Sequence, residues 1–235
     1  MISIIAPSRK RVKKSTETIH NWINSASDIH NIELIVSCDS SDDKLQDYKE
    51  VYSHTVFKNN PVIVNNNKSA VEAINNAARV ATGDIFIVVS DDTESFSGWD
   101  AALLKEVQGK TDWILKTQDG IQKWIITFPV MDRTYYNRFG YIYHPDYLHM
   151  FCDTELTCVA DITRRKITSN LLFPHKHYSI TKETPDEINK KADATWAQGE
   201  KLFLERYKRN FDLQPGGRIQ GQGMIDWLIK KQASV

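Results

Sequence analysis

The sequence predicts an α/β sandwich built on a largely parallel sheet, and three observations carry that prediction. Short apolar runs of strand length alternate with stretches of helical period through the first half of the chain. One run, residues 85–89 (IFIVV), is apolar without a break, as expected of a strand covered on both faces. Polar or acidic clusters follow the strands directly, where their C-terminal ends open and ligands bind in such sheets.

The elements follow in order. Residues 2–6 form a β-branched run stopped by Pro7, and 15–26 place Ile19, Trp22, Ile23 and Ala26 at helical spacing. A second strand at 32–37 (IELIVS) opens into the acidic loop Cys38-Asp39-Ser40-Ser41-Asp42-Asp43. Short strands are expected at 55–57 and 62–64, then a helix at 69–80 with Ala70, Ile74, Ala77 and Ala78 on one face, ended near Gly83. After the 85–89 strand come Ser90-Asp91-Asp92, a helix at 99–107, and strands at 113–116 and 124–128 around an Asp119-Gly120 turn. The last third reads as a helix at 153–164, an extended stretch at 171–173, a polar amphipathic stretch at 185–207, a glycine tract at 215–223 and a closing helix at 224–230. That tract is either a lid or a linker. The organisation is a catalytic domain over 1–183 and a helical extension over 184–235 that packs on it.

Thirty Lys plus Arg balance thirty Asp plus Glu in 235 residues, so bulk charge provides no grip on nucleic acid, and an anionic ligand has to be held locally. Three cysteines without paired spacing argue against a disulfide scaffold or a zinc knuckle and for a reducing, cytoplasmic setting. No apolar run approaches the roughly 20 residues that span a bilayer, so a transmembrane segment is not expected.

Asp91 and Asp92 end a wholly apolar strand. Two adjacent carboxylates repel unless a cation neutralises them, and a hard divalent ion shared with diphosphate oxygens does so. Equally, the pair is a turn-forming surface loop. His175 and His177, two apart after an extended run, are either polar surface or ligands in a mixed site suited to Mn2+ or Mg2+. The aromatic-rich stretch from Phe128 onward makes Trp124, Arg133, Tyr135, Tyr136 and Tyr141 candidates for a sugar wall, or for core. Asp119 either reaches the sugar or only forms its turn. In the basic cluster Arg9, Lys10, Arg11, Lys13 and Lys14, Arg9 is expected to aim inward and the rest into solvent.

The ordered set 3–9 (SIIAPSR), 33–39 (ELIVSCD), 67–84 (NKSAVEAINNAARVATGD) and Ser90-Asp91-Asp92 resembles the inverting GT-A glycosyltransferases, in particular their family 2 group, over roughly 3–176. The resemblance implies a nucleoside-diphosphate sugar donor, with a UDP-sugar foremost, and a divalent metal. It implies that Pro7, Ser8 and Arg9 line the nucleotide, that Asp39 meets base or ribose, and that Asn67 and Lys68 lie beside them. The family's Asp-x-Asp is here Ser90-Asp91-Asp92, which makes Asp92 the expected metal ligand and places Asp91 toward the ribose or a water. Phe151-Cys152-Asp153-Thr154-Glu155 matches the place of the family's general base, with Asp153 first and Glu155 as the alternative; local chemistry also allows an N-cap and a dipole partner. Two other functions are compatible with parts of the sequence: a sugar nucleotidyltransferase, and a non-catalytic sugar- or nucleotide-binding module.

Overall fold

The computed structural model describes residues 1–53 and 61–233. The strand expected at 55–57 lies outside the described residues. The sheet has seven strands in the order β3-β2-β1-β4-β6-β5-β7. Strands β1 (Ile2–Pro7), β2 (Ile32–Asp39), β3 (Val62–Asn65) and β4 (Ile85–Val88) are mutually parallel, with Ile2 opposite Ile32 and Ile85. β5 (Ile114–Gln118) and β7 (Lys166–Leu172) are parallel to each other, and β6 (Val130–Asp132) runs antiparallel between β4 and β5.

Ten α-helices, with short 3-10 turns at Ile29–Asn31 and Asn210–Asp212, complete the described chain: α1 (Val12–Asn24), α2 (Leu45–Ser53), α3 (Ala70–Val80), α4 (Trp99–Glu106), α5 (Arg133–Asn137), α6 (Cys152–Ile162), α7 (Tyr178–Thr181), α8 (Glu187–Asp193), α9 (Trp196–Lys208) and α10 (Gln222–Ala233). Alternate side chains of the strands feed two cores, one on each face of the sheet. Ile4, Val36, Ile87 and Leu115 meet Ile19 and Trp22 of α1, Tyr48 of α2 and Leu103 of α4. Ile5, Ile35, Phe86, Val88 and Ile114 meet Ile74 of α3, Leu156 of α6, Phe203 of α9 and Leu228 of α10. Helices α9 and α10 therefore share the second core, whereas α8 buries no residue.

Several expectations are corrected. Residues 124–128 form an irregular turn, and the strand is the next segment, β6. Helices α2 and α5 have no counterpart in the sequence reading; α2 follows the acidic loop, and α5 starts where the Asp132 side chain accepts from the Tyr135 amide at 2.8 Å. The 185–207 stretch divides into α8 and α9. The glycine tract is docked: a Cβ on Gly216 would lie 2.0 Å from the Ile162 carbonyl oxygen, and one on Gly221 would lie 2.5 Å from the Trp124 ring, so glycine is what lets this backbone lie flat on α6 and on the indole.

Candidate functional site

The C-terminal ends of β1, β2 and β4 open on one edge of the sheet, and the N-terminal ends of α1 and α3 stand beside them. The Ser69 side chain accepts from the Glu72 amide to start α3. Both helices begin at this edge, and the positive ends of their dipoles favour an anionic ligand there.

The Asp39 carboxylate, 4% exposed at the end of β2, takes the Ser41 amide at 2.8 Å and the Ser41 hydroxyl, and lies 3.0 Å from the Arg9 guanidinium. Burial opposes ionisation, but these hydrogen bonds and Arg9 hold its pKa below the usual carboxylate value. Its Oδ2 is buried without a partner. Asn67 donates to the Cys38 carbonyl at 3.1 Å and accepts from Asn76. Pro7 ends β1, and Ser8, buried, shares a 2.6 Å hydrogen bond with Tyr48 of α2. Lys68 is exposed, with its amide donating to Glu72. Pro7, Ser8, Arg9, Asp39 and Asn67 thus converge, with Tyr48 as a member the sequence reading missed.

Asp91 and Asp92 follow β4 as two unequal groups. Asp91 Oδ1 lies 3.0 Å from Arg11 Nη1, and the two side chains are 8% and 13% exposed. Burial raises the Asp91 pKa to about 6 against the pull of Arg11, with the Asp92 charge adding to the rise. The expectation that only Arg9 of the basic cluster aims inward is therefore corrected, because Arg11 is the more buried of the two. Asp92 Oδ2 lies 3.2 Å from His175 Nε2. Burial again works against ionisation, yet His175 and the Ser90 hydroxyl hold Asp92 down to about 2. The backbone fixes this meeting: Thr93 bridges to His175, and the Lys176 amide donates to the Asp92 carbonyl at 2.7 Å.

Asp92 Oδ1 is buried with no partner, and an ionised oxygen left dry and unpaired is costly unless a ligand meets it. Together with the neighbouring imidazole, that orphaned oxygen fits a hard or borderline divalent ion. Among the described residues no group of three or more His, Cys, Asp or Glu side chains is assembled for a metal. The described residues thus offer a pair of donor groups, Asp92 and His175, and no third. His177 stands next to His175, with ring centroids 5.2 Å apart, but its Nδ1 is engaged by Ser179 at 2.7 Å as α7 begins.

Asp153 is the second residue of α6, not its N-cap; that position is Phe151, which has no side-chain cap. Asp153 Oδ1 accepts from its neighbour Thr154, and Oδ2 has no partner among the described residues. Burial raises the Asp153 pKa above the usual value, and the Asp119 charge adds to that. Glu155 is placed elsewhere. It is 3% exposed, its two carboxylate oxygens share the single N–H of Arg206 Nε at 2.9 and 2.8 Å, and it accepts from the Tyr147 hydroxyl at 2.8 Å, which ties α6 to α9.

The aromatic wall is largely not assembled here. Arg133 donates to the carbonyls of Gly83 and Ala81 and lies over Phe86, at the end of β4 opposite Asp91. Tyr135 and Tyr136 are buried in the second core, and Tyr141 packs beside Phe139 and His144. The Asp119 carboxylate is occupied by the amides of Ile121 and Gln122 and the Thr127 hydroxyl, so it shapes the 119–127 turn. Trp124 lies on that turn, half-buried under Gly221.

Solved structures share this architecture. TarS from S. aureus in complex with UDP superposes with a TM-score of 0.59 at 15% identity, over 91% of this chain and 72% of that one. The mannosyltransferase PcManGT from Pyrobaculum calidifontis, in complex with GDP-Man and Mn2+, superposes with a TM-score of 0.64 at 13% identity, over 92% and 65% of the two chains. The fold is thus the GT-A type. A stretch of 88 residues, 37% of this chain, is 33% identical to the Methanococcus voltae dolichyl N-acetyl-alpha-D-glucosaminyl phosphate 3-beta-D-2,3-diacetamido-2,3-dideoxy-beta-D-glucuronosyltransferase, and the match spans 27% of that relative. The model of one family matches residues 3–180, which takes in every strand of the sheet and the site around Asp39, Asp92 and Asp153, and the chain therefore belongs to glycosyl transferase family 2.

Proposed function

We propose that this chain transfers a sugar from a nucleoside-diphosphate sugar, with a UDP-sugar as the first donor to test, to an acceptor hydroxyl with inversion at the anomeric carbon. The observation that carries the reading is Asp92 Oδ1, dry and unpartnered beside His175 where β4 ends. The pocket of Arg9, Asp39, Ser41 and Asn67 supplies donors and acceptors for a ribose and base. The crystal complexes of the similar folds contain UDP-GlcNAc in one case and GDP-Man with Mn2+ in another, which supports a nucleotide-sugar ligand.

Asp92 and His175 would hold a divalent ion, Mn2+ or Mg2+, whose charge neutralises the diphosphate as it departs. Asp91, fixed by Arg11, orients the loop and faces the ribose side. Asp153 accepts the acceptor hydroxyl's proton at its free Oδ2 while that oxygen attacks opposite the leaving nucleotide. Burial raises its pKa above the usual aspartate value, and a raised pKa makes the carboxylate a stronger base.

The test is calorimetric titration of UDP with and without Mn2+, alongside turnover of UDP-sugars. Asp92→Asn is expected to abolish the Mn2+-dependent part of UDP binding. Asp153→Asn is expected to keep UDP binding and to lower turnover about a hundredfold or more. Full turnover in both variants would refute the assignment.

A further inference from the structure

Among the described residues, Arg11 is the cation that touches both the acidic pair and the segment beyond the matched region. Its Nη1 lies on Asp91, while Nε and Nη2 form a two-pronged pair with Asp186 Oδ2 and Oδ1 at 2.8 and 2.7 Å. Burial works against its charge, but the hydrogen bond and charge of Asp186, with Asp91 beside it, raise its pKa further. The arrangement is the fork that a guanidinium presents equally to a carboxylate or to a phosphate. Asp91, which Arg11 Nη1 meets at 3.0 Å, directly precedes Asp92 in the chain, so the guanidinium stands beside the carboxylate proposed to hold the metal.

The segment that supplies Asp186 is held almost wholly by charge. Neither α7 nor α8 buries a residue. Lys14 meets Glu183 at 3.2 Å and Lys10 meets Glu187 at 3.4 Å, on either side of the Arg11–Asp186 pair. Apart from Arg11, these side chains are at least one-third exposed, and Asp186 itself is 42% exposed. Such contacts are weak and sensitive to salt, in contrast to the apolar docking of α9 and α10.

We propose that Arg11 is a donor-phosphate-binding residue whose fork is occupied, in the free protein, by the Asp186 carboxylate as an internal stand-in for phosphate. Arrival of the diphosphate exchanges Asp186 for a phosphate oxygen on Arg11 and releases the segment of α7 and α8 from α1. This rests on the nucleotide-sugar reading above and adds to it a competing internal anion that sets donor affinity.

Asp186→Asn separates the roles, because asparagine serves as well as aspartate at the N-cap of α8 while removing the charge. In UDP titrations with Mn2+ on the full chain, Asp186→Asn is expected to tighten binding about threefold to fivefold. Arg11→Met is expected to weaken it about tenfold or more. In the Arg11→Met background Asp186→Asn is expected to change nothing. Limited proteolysis between 178 and 195 is expected to quicken on adding UDP with Mn2+, and likewise on raising salt, with Asp186→Asn cut rapidly throughout. UDP binding that is unaltered or weakened by Asp186→Asn overturns the exchange alone. Failure of the unmodified chain to bind UDP overturns the proposed function and the exchange together.

Discussion

Glu155 and Arg206 permit a prediction with a worked magnitude. Both side chains are nearly sealed from water, 4% and 7% exposed, and the pair joins α6 to α9. Removing one partner of such a pair leaves a buried charge and costs about 3–5 kcal/mol, against a total domain stability of about 5–15 kcal/mol. The two ends differ. Glu155→Gln leaves Arg206 with Asp212, a partner 56% exposed, at 3.2 Å, so its cost falls at the lower end, about 3 kcal/mol. Arg206→Met leaves the Glu155 carboxylate with only the Tyr147 hydroxyl, and its cost falls at the upper end, about 5 kcal/mol. The double variant removes both charges and is expected to be less destabilised than the sum of the singles by about 1–3 kcal/mol. Urea unfolding curves measure this through their midpoints, with unchanged slopes as the check that the same two states are compared. Turnover per folded molecule, measured well below the transition, is expected to survive in Glu155→Gln, because that carboxylate is committed to Arg206. If Glu155→Gln unfolds like the parent yet loses turnover, the structural assignment of Glu155 is wrong and it is the base after all.

Two further outcomes follow from the geometry. Burial raises the Asp153 pKa, so the proposed base is protonated at a higher pH than an exposed aspartate; the acid limb of kcat/KM is expected to lie above the usual aspartate range and to vanish in Asp153→Asn, read from a pH-rate profile. Gly221→Ala forces a methyl group to within 2.5 Å of the Trp124 ring and is expected to cost about 1–3 kcal/mol by thermal unfolding, with most of the loss recovered when Trp124→Leu is added.

Much of the edge proposed to hold the nucleotide was legible in the sequence because its residues are placed locally. Pro7 ends β1, Asp39 ends β2 and the aspartates follow β4, so knowing that the strands are parallel is enough to gather them at one edge. The side proposed for the acceptor was less legible. Asp153 and Glu155 are two residues apart on a helix, about 200° around its axis, so they face different ways, and which of them meets the cleft depends on how α6 is rolled against α9. Arg133, Tyr135 and Tyr136 follow a strand that proved antiparallel, which carries them to the opposite end of the sheet from Asp91. Direction is a property of pairing, and a strand of three residues holds no periodicity that reveals it.

The sequence by itself determined the alternation of strands and helices, the apolar central strand and the identity of the carboxylates at its mouth, because β-branched runs, helical spacing and turn residues act over a few neighbours. Only the tertiary structure decided which partner each charged group has. Asp92 meets His175, Asp91 meets Arg11, and Arg11 meets Asp186 across 175 residues of chain. Long-range pairing of this kind depends on how the layers stack, and no local pattern of residues carries it.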